Sequence, residues 1–189
     1  MNGTVLGLLV LVASLPREPL PVAENWPAWR LEVELPLAVS TTESASRARG
    51  EFDLHSGLRT GIALEPGAWV VACELGVLTG WPGRQGSAAL STRSQDLTFE
   101  LGLRFGPMLR ARGFELQPHL RVAGVAGLHM VLIEASGHHR LAARPLGGLA
   151  AGVGLRAGHG KWYLRWDFGV QGTTRTSSLL ATVGLGFHW

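Results

Sequence analysis

Thirteen ionisable side chains fall at alternate positions along extended stretches of the chain, and they are the residues with chemistry to offer. Arg30, Glu32 and Glu34 come first, then Asp53 and Arg59, and then Glu74. Glu100, Arg104, Arg121, Arg156, Arg165 and Asp167 follow, with His119 between them. Two kinds of chemistry would use such a set. Paired carboxylates can act as general acid and base, but that needs two acids with different environments. Six arginines against six carboxylates suit another role, in which fork-shaped guanidiniums bind carboxylates inside a confined space. The balance of sign favours this second role, an ion-pair network that fills an interior.

The remaining polar candidates are weaker. His55, His119 and His188 share a face with these charges, but no two lie on one strand and none has metal-ligand spacing. Ser136, His138 and His139 sit in a polar stretch, Leu132–Arg144. They match no hydrolase motif that we recognise. Gly184-Leu185-Gly186 lies inside a strand pattern, not between a strand and a helix, so it is not a phosphate loop. Cys73 is the single cysteine, which rules out an intrachain disulfide. No motif calls for a cofactor or a metal.

The elements that must position these groups are strands. A period of two runs from Trp29 to Ser40, with Trp29, Leu31, Val33, Leu35, Leu37 and Val39 on one face. Similar patterns cover Phe52 to Leu64, Trp69 to Trp81, Asp96 to Leu109, Phe114 to Met130, Leu146 to Arg156, Lys161 to Gln171 and Leu179 to Trp189. That makes eight expected strands. In the fifth, alternation weakens past Gly124 and the register is open. Short turns at Glu65-Pro66-Gly67, Arg110–Gly113 and Ala157–Gly160 alternate with longer polar loops at Thr41–Gly50, Pro82–Gln95 and Leu132–Arg144. Sequential strands joined this way form an antiparallel meander.

Composition sets bounds. The chain has 189 residues, enough for one domain, and 26 are glycine. Its net charge is +3 and its basic residues are scattered, which argues against nucleic acid. Val5 to Ala13 is an apolar run too short to span a membrane as a helix, and its length fits the core of an export signal. Residues 1–23 are therefore expected to be a signal peptide and lead-in, and residues 24–189 a barrel.

Alternation alone leaves inside and outside open, because a soluble lipocalin-like barrel has the same strand count in reverse orientation. Three features favour an apolar exterior. The polar face is rich in glycine, including Gly57, Gly61, Gly76, Gly102, Gly154, Gly184 and Gly186, which suits a narrow interior. Its charges balance. Trp29, Trp69, Trp81, Trp162 and Trp189 lie near strand ends on the apolar face, where a membrane-interface girdle belongs. The expected fold is an all-β, eight-stranded antiparallel up-and-down transmembrane barrel with an apolar exterior and a plugged polar interior.

The last stretch, with Leu179, Ala181, Val183, Leu185, Phe187 and Trp189 on one face, resembles the closing strand of bacterial outer-membrane β-barrels. The span from Trp29 to Trp189 resembles small barrels of the OmpA transmembrane-domain, OmpX and OmpW kind in architecture. That resemblance implies residence in the outer membrane of a Gram-negative bacterium, contact with its lipid, and insertion by the barrel assembly machinery. It also implies that Val183, Leu185, Phe187 and Trp189 serve as the assembly signal. The expected function is structural or surface-interacting through the loops, not an open pore. Two other readings stand beside it: an enzyme that modifies lipid A acyl chains, and a soluble lipocalin-like carrier.

Overall fold

The computed structural model describes residues 28–43, 51–81, 83–86, 90–135, 138–174 and 177–189. The expected signal segment lies outside them. Among the described residues are β1 (Ala28–Glu43), β2 (Glu51–Glu65), β3 (Trp69–Gly80), β4 (Gly83–Gly86) and β5 (Leu90–Pro107). They continue with β6 (Leu109–Ala111), β7 (Phe114–Ala135), β8 (His138–His159), β9 (Trp162–Thr173) and β10 (Ser177–His188). Eight of these close a ring in chain order, every pair antiparallel, with β3 joined to β5, β5 to β7, and β10 back to β1. The short β4 and β6 pair only with β5 and β7.

The ring is sheared. Following paired residues round it leads from Glu32 through Gly61, Glu74, Gly102, Ala123, Ala150, Gln171 and Ser178 to Thr42, ten residues further along β1. Strands in such a barrel tilt by roughly 40° from the axis. Each residue then climbs about 2.5 Å along the axis. Allowing for the stagger, Trp29, Trp69, Phe114, Trp162 and Trp189 fall within about two residues of one level. Trp81, one residue past the end of β3, marks the upper level, about 30 Å above Trp69 at that climb. Such a height brackets the apolar band of a membrane barrel with its aromatic girdles.

Exposure follows the pleat. On β3 the faces alternate along its whole length, with Trp69, Val71, Leu75 and Val77 outside and Val70, Ala72, Glu74 and Leu78 buried. The interior is layered. At the turn end Met108 tucks under the barrel against Ala63, Val70 and Ala72. The charged residues fill the middle. Above them Ala123, Val125 and Ala150 form a small apolar layer.

Several expected boundaries are corrected. Pro82–Gln95 is not a free loop: β4 and the start of β5 form a hairpin through most of it. Leu132–Arg144 holds the ends of β7 and β8, which stay paired from Phe114↔His159 to Ala135↔His138. Thr41–Glu43 belongs to β1. The fourth expected strand stops at Pro107, and Leu109 starts β6 instead. These segments rise above the charged filling, so their inner faces no longer have to be polar. Their backbones keep pairing after the side-chain alternation has lost its cause.

The open register of β7 resolves without a bulge. Arg121, Ala123 and Val125 are buried while Val122 and Leu128 face outward. Small residues at outward Gly124 and Ala126, with Val125 inside, obscured the pattern. At the turns, Gly67 (φ 69°) and Gly113 (φ 80°) take the left-handed conformation that lets two strands reverse tightly.

Candidate functional site

Glycines on the inner face leave room for long charged side chains from the facing strands. Glu74 on β3 is the hub. It accepts from Arg104 Nε at 2.7 Å, Arg121 Nε at 3.1 Å and Arg165 Nη1 at 2.6 Å, arginines on three other strands. Glu34 accepts from Arg59 Nη1 at 2.7 Å, and Glu100 from Arg121 Nη2 at 2.6 Å. Glu32 accepts from Arg30 Nε at 3.0 Å and also from Arg104. Asp167 lies 2.9 Å from Arg165 Nη2 and 2.7 Å from His119 Nε2. Arg104 is wholly buried, and the other network arginines nearly so.

Eleven of the twelve residues expected in the network lie together: Arg30, Glu32, Glu34, Arg59, Glu74, Glu100, Arg104, Arg121, Arg156, Arg165 and Asp167. Asp53 lies opposite Ser40, nearer the loop end. Glu115 takes the corresponding role at the turn end, 3.1 Å from Arg30 Nη1 and 3.2 Å from Arg156 Nη1. Glu115 follows Phe114 at the start of the fifth expected strand, and alternation along one strand names no partner for it, because partners depend on the ring stagger. Glu65 lies 2.8 Å from Arg30, extending the cluster to the rim. Outside the spanning strands, burial depresses the Arg110 guanidinium, but hydrogen bonds to Glu65 and Glu115 outweigh it and raise the pKa above its ordinary value.

Neutral groups complete the packing. Gln117 accepts from Arg104, and the Arg156 guanidinium lies 4.1 Å above the Tyr163 ring. That ring crosses Gly186, where a side chain on the glycine would collide with it. A cavity of about 10 Å³ beside Glu34, Arg59, Tyr163 and Arg165 is at the lower bound for a single water. Carboxylates held between guanidiniums in so little space form an electrostatic filling.

The histidines divide. His119 joins the network, and His188 contacts Arg156 Nη2 at 3.0 Å. At the loop end His55 pairs with Ser40 Oγ at 3.1 Å, and His129 with Asp96 at 2.5 Å. The His129 contact was missed because the register past Gly124 was open. His138 is exposed on β8, Ser136 is outside the described residues, and among those described no His, Cys, Asp and Glu cluster fits a metal.

On the exterior, Trp69 stacks on Phe105 at 5.5 Å, and Phe187 meets both Trp162 and Trp189 edge-on at 5.1 and 5.0 Å. Trp29, Trp69, Trp81, Trp162 and Trp189 are all exposed. Trp81 Nε1 donates to Ser56 Oγ, and Gln95 to Thr79 Oγ1 beside it, so polar groups gather at the loop-end level. Val183 and Leu185 face outward on β10, and Trp189, just past its end, is exposed. That strand seams the ring through Leu185↔Leu35 and Phe187↔Val33. The Trp189 amide donates to the Leu31 carbonyl at 3.1 Å, pinning the last residue to β1.

A closed eight-stranded meander with an apolar outside, a charged filling and aromatics at its rims defines the small outer-membrane β-barrel fold. The chain is similar to the attachment invasion locus protein Ail of Yersinia pestis. One Ail structure, in complex with the heparin analogue sucrose octasulfate, aligns at TM-score 0.57 with 13% identity, covering 85% of this chain and 99% of that one. Another aligns at TM-score 0.54 with 14% identity over 87% of this chain and all of Ail. No family model and no curated protein sequence matches the chain.

Proposed function

We propose that the protein is an integral barrel of a Gram-negative outer membrane, with a structural or surface-interaction role carried by its loop end. The observation that carries this reading is the inversion of a soluble fold: leucines, valines and phenylalanines ring the exterior while buried arginines and carboxylates fill the inside. In water such an exterior would be an aggregation hazard, whereas in lipid it is the required surface. Residues 1–23 act as the export signal, and Val183, Leu185, Phe187 and Trp189 as the strand read by the assembly machinery. Trp29, Trp69, Trp81, Trp162 and Trp189 anchor the two interfaces. The charge network keeps the lumen shut to ions. Binding work falls to the loop end, since loops on a rigid scaffold carry most recognition.

The test is expression of the full chain in a Gram-negative host, followed by gel electrophoresis of the outer-membrane fraction with and without boiling. Two mobilities in that fraction are expected. A water-soluble protein with one mobility would reverse inside and outside and restore the lipocalin-like reading. Stable large conductance steps in a planar bilayer would refute the closed lumen.

A further inference from the structure

The apolar exterior does not stop at the level of Trp81. With the ring stagger allowed for, that level meets β7 near Leu128 and β8 near Gly147. β7 continues to Ala135 and β8 begins at His138, so both strands rise above the outer girdle as one paired hairpin, flanked on one side by the start of β5. On its outward face the pairs are Leu128↔Pro145, Met130↔Ala143 and Leu132↔Leu141. Leu141 is 66% exposed, and by the same climb it lies about 15 Å above the girdle. The opposite face carries Val131 and Ile133 but also Asp96 with His129, and the register sets Arg144 opposite His129 and Arg140 opposite Ile133. The outward face is thus a direct upward extension of the lipid-facing belt, on one side of the barrel only.

We infer that this raised face is a lipid contact: it holds acyl chains of the outer leaflet above the height of the belt elsewhere. The inference rests on the reading of the chain as an outer-membrane barrel. Continuity identifies the occupant, because no polar row separates Leu128 from Met130 and Leu132 on β7, or Leu149 from Pro145 and Leu141 on β8. Arg93, exposed and paired across β5 and β7 with Leu132, sets a cation beside the patch where an anionic headgroup would sit. A second copy fits less well. The free edge of β8 carries Pro145, and antiparallel self-pairing centred on Ala142 would set Arg140 against Arg144 of the other copy. A local rise in the bilayer is an ordinary response to a taller apolar surface.

The experiment uses nitroxide labels on the full chain, attached in denaturant before refolding into vesicles of phosphatidylethanolamine and lipopolysaccharide. Native Cys73, on the outward face of β3, reports the belt. In a Cys73→Ser background, Leu141→Cys reports the raised face and Arg140→Cys its polar side. Unboiled gel mobility checks folding of each. The label at 141 is expected to favour oxygen over a water-soluble nickel chelate several-fold more than the label at 140, as the label at 73 does. A label at 141 as open to nickel as that at 140, with 73 still in lipid, overturns the inference and leaves the barrel reading standing. A label at 73 that is itself open to nickel overturns both. Spin–spin broadening at 141 without oxygen access would show a second copy on the face and overturn the lipid assignment.

Discussion

Replacing Glu74 with alanine tests the interior most directly. Its carboxylate accepts from Arg104, Arg121 and Arg165 and is almost wholly buried. Removing one partner of a buried pair costs about 3–5 kcal/mol, because the remaining charge is left uncompensated. Three guanidiniums would lose an acceptor here, but the cost does not triple. Arg104 keeps Glu32, Arg121 keeps Glu100, and Arg165 keeps Asp167 and Glu34. The expected loss for Glu74→Ala therefore stays near about 3–5 kcal/mol. Glu115→Ala, at the more hydrated rim, removes charge-assisted bonds to Arg30, Arg110 and Arg156 and should cost about 1.5–3 kcal/mol. Glu74→Gln, which keeps the shape but not the charge, should fall between wild type and alanine. The assay is urea unfolding of the refolded protein in one lipid, followed by tryptophan fluorescence and unboiled gel mobility. A Glu74→Ala loss below about 1 kcal/mol, or no larger than that of Glu115→Ala, would mean that water screens the lumen as it screens a surface pair.

Three other outcomes follow from the geometry. Gly186→Ala should destabilise by about 1–3 kcal/mol through collision with the Tyr163 ring, and adding Tyr163→Ala should recover part of that loss in the same unfolding assay. A fully additive double variant would show that the ring does not lie across the glycine. Phe187→Ala and Trp189→Ala should lower the amount of folded protein in the outer membrane far more than they lower unfolding stability in vesicles, since the assembly role acts before folding is complete. Equal effects on both would remove that role. Asp96→Asn, in a partly exposed pair with His129, should change stability by only about 0–1 kcal/mol, and a loss matching that of Glu74→Ala would contradict the division between wet mouth and dry centre.

Much of this was legible from residue order. The eight spanning strands, the inward Arg30, Glu32, Glu34, Arg59 and Glu74, and the outward tryptophans all follow from a period of two together with one decision about which face meets lipid. The misses have a common cause. β4, the start of β5 and the tips of β7 and β8 lie above the charged filling, so no polar inner face marks out their alternation even though the backbones pair. Val125, inward beside outward Gly124 and Ala126, blurred the pattern in the upper half of β7. Met108 ends the expected fourth strand early by turning under the barrel, a contact with Ala63, Val70 and Ala72 that no local pattern announces.

Sequence by itself determined which side chains share a face, because pleating is a local property of an extended chain. It also determined that the polar face must be closed in, since balanced arginines and carboxylates among glycines need neighbours to neutralise them. Only the tertiary structure decided who those neighbours are. The ten-residue shift accumulated round the ring brings Arg104, Arg121 and Arg165 to Glu74, and it places Glu115, not Asp53, beside Arg30 and Arg156. That shift is a property of closure, set by all eight pairings at once. No single strand encodes it.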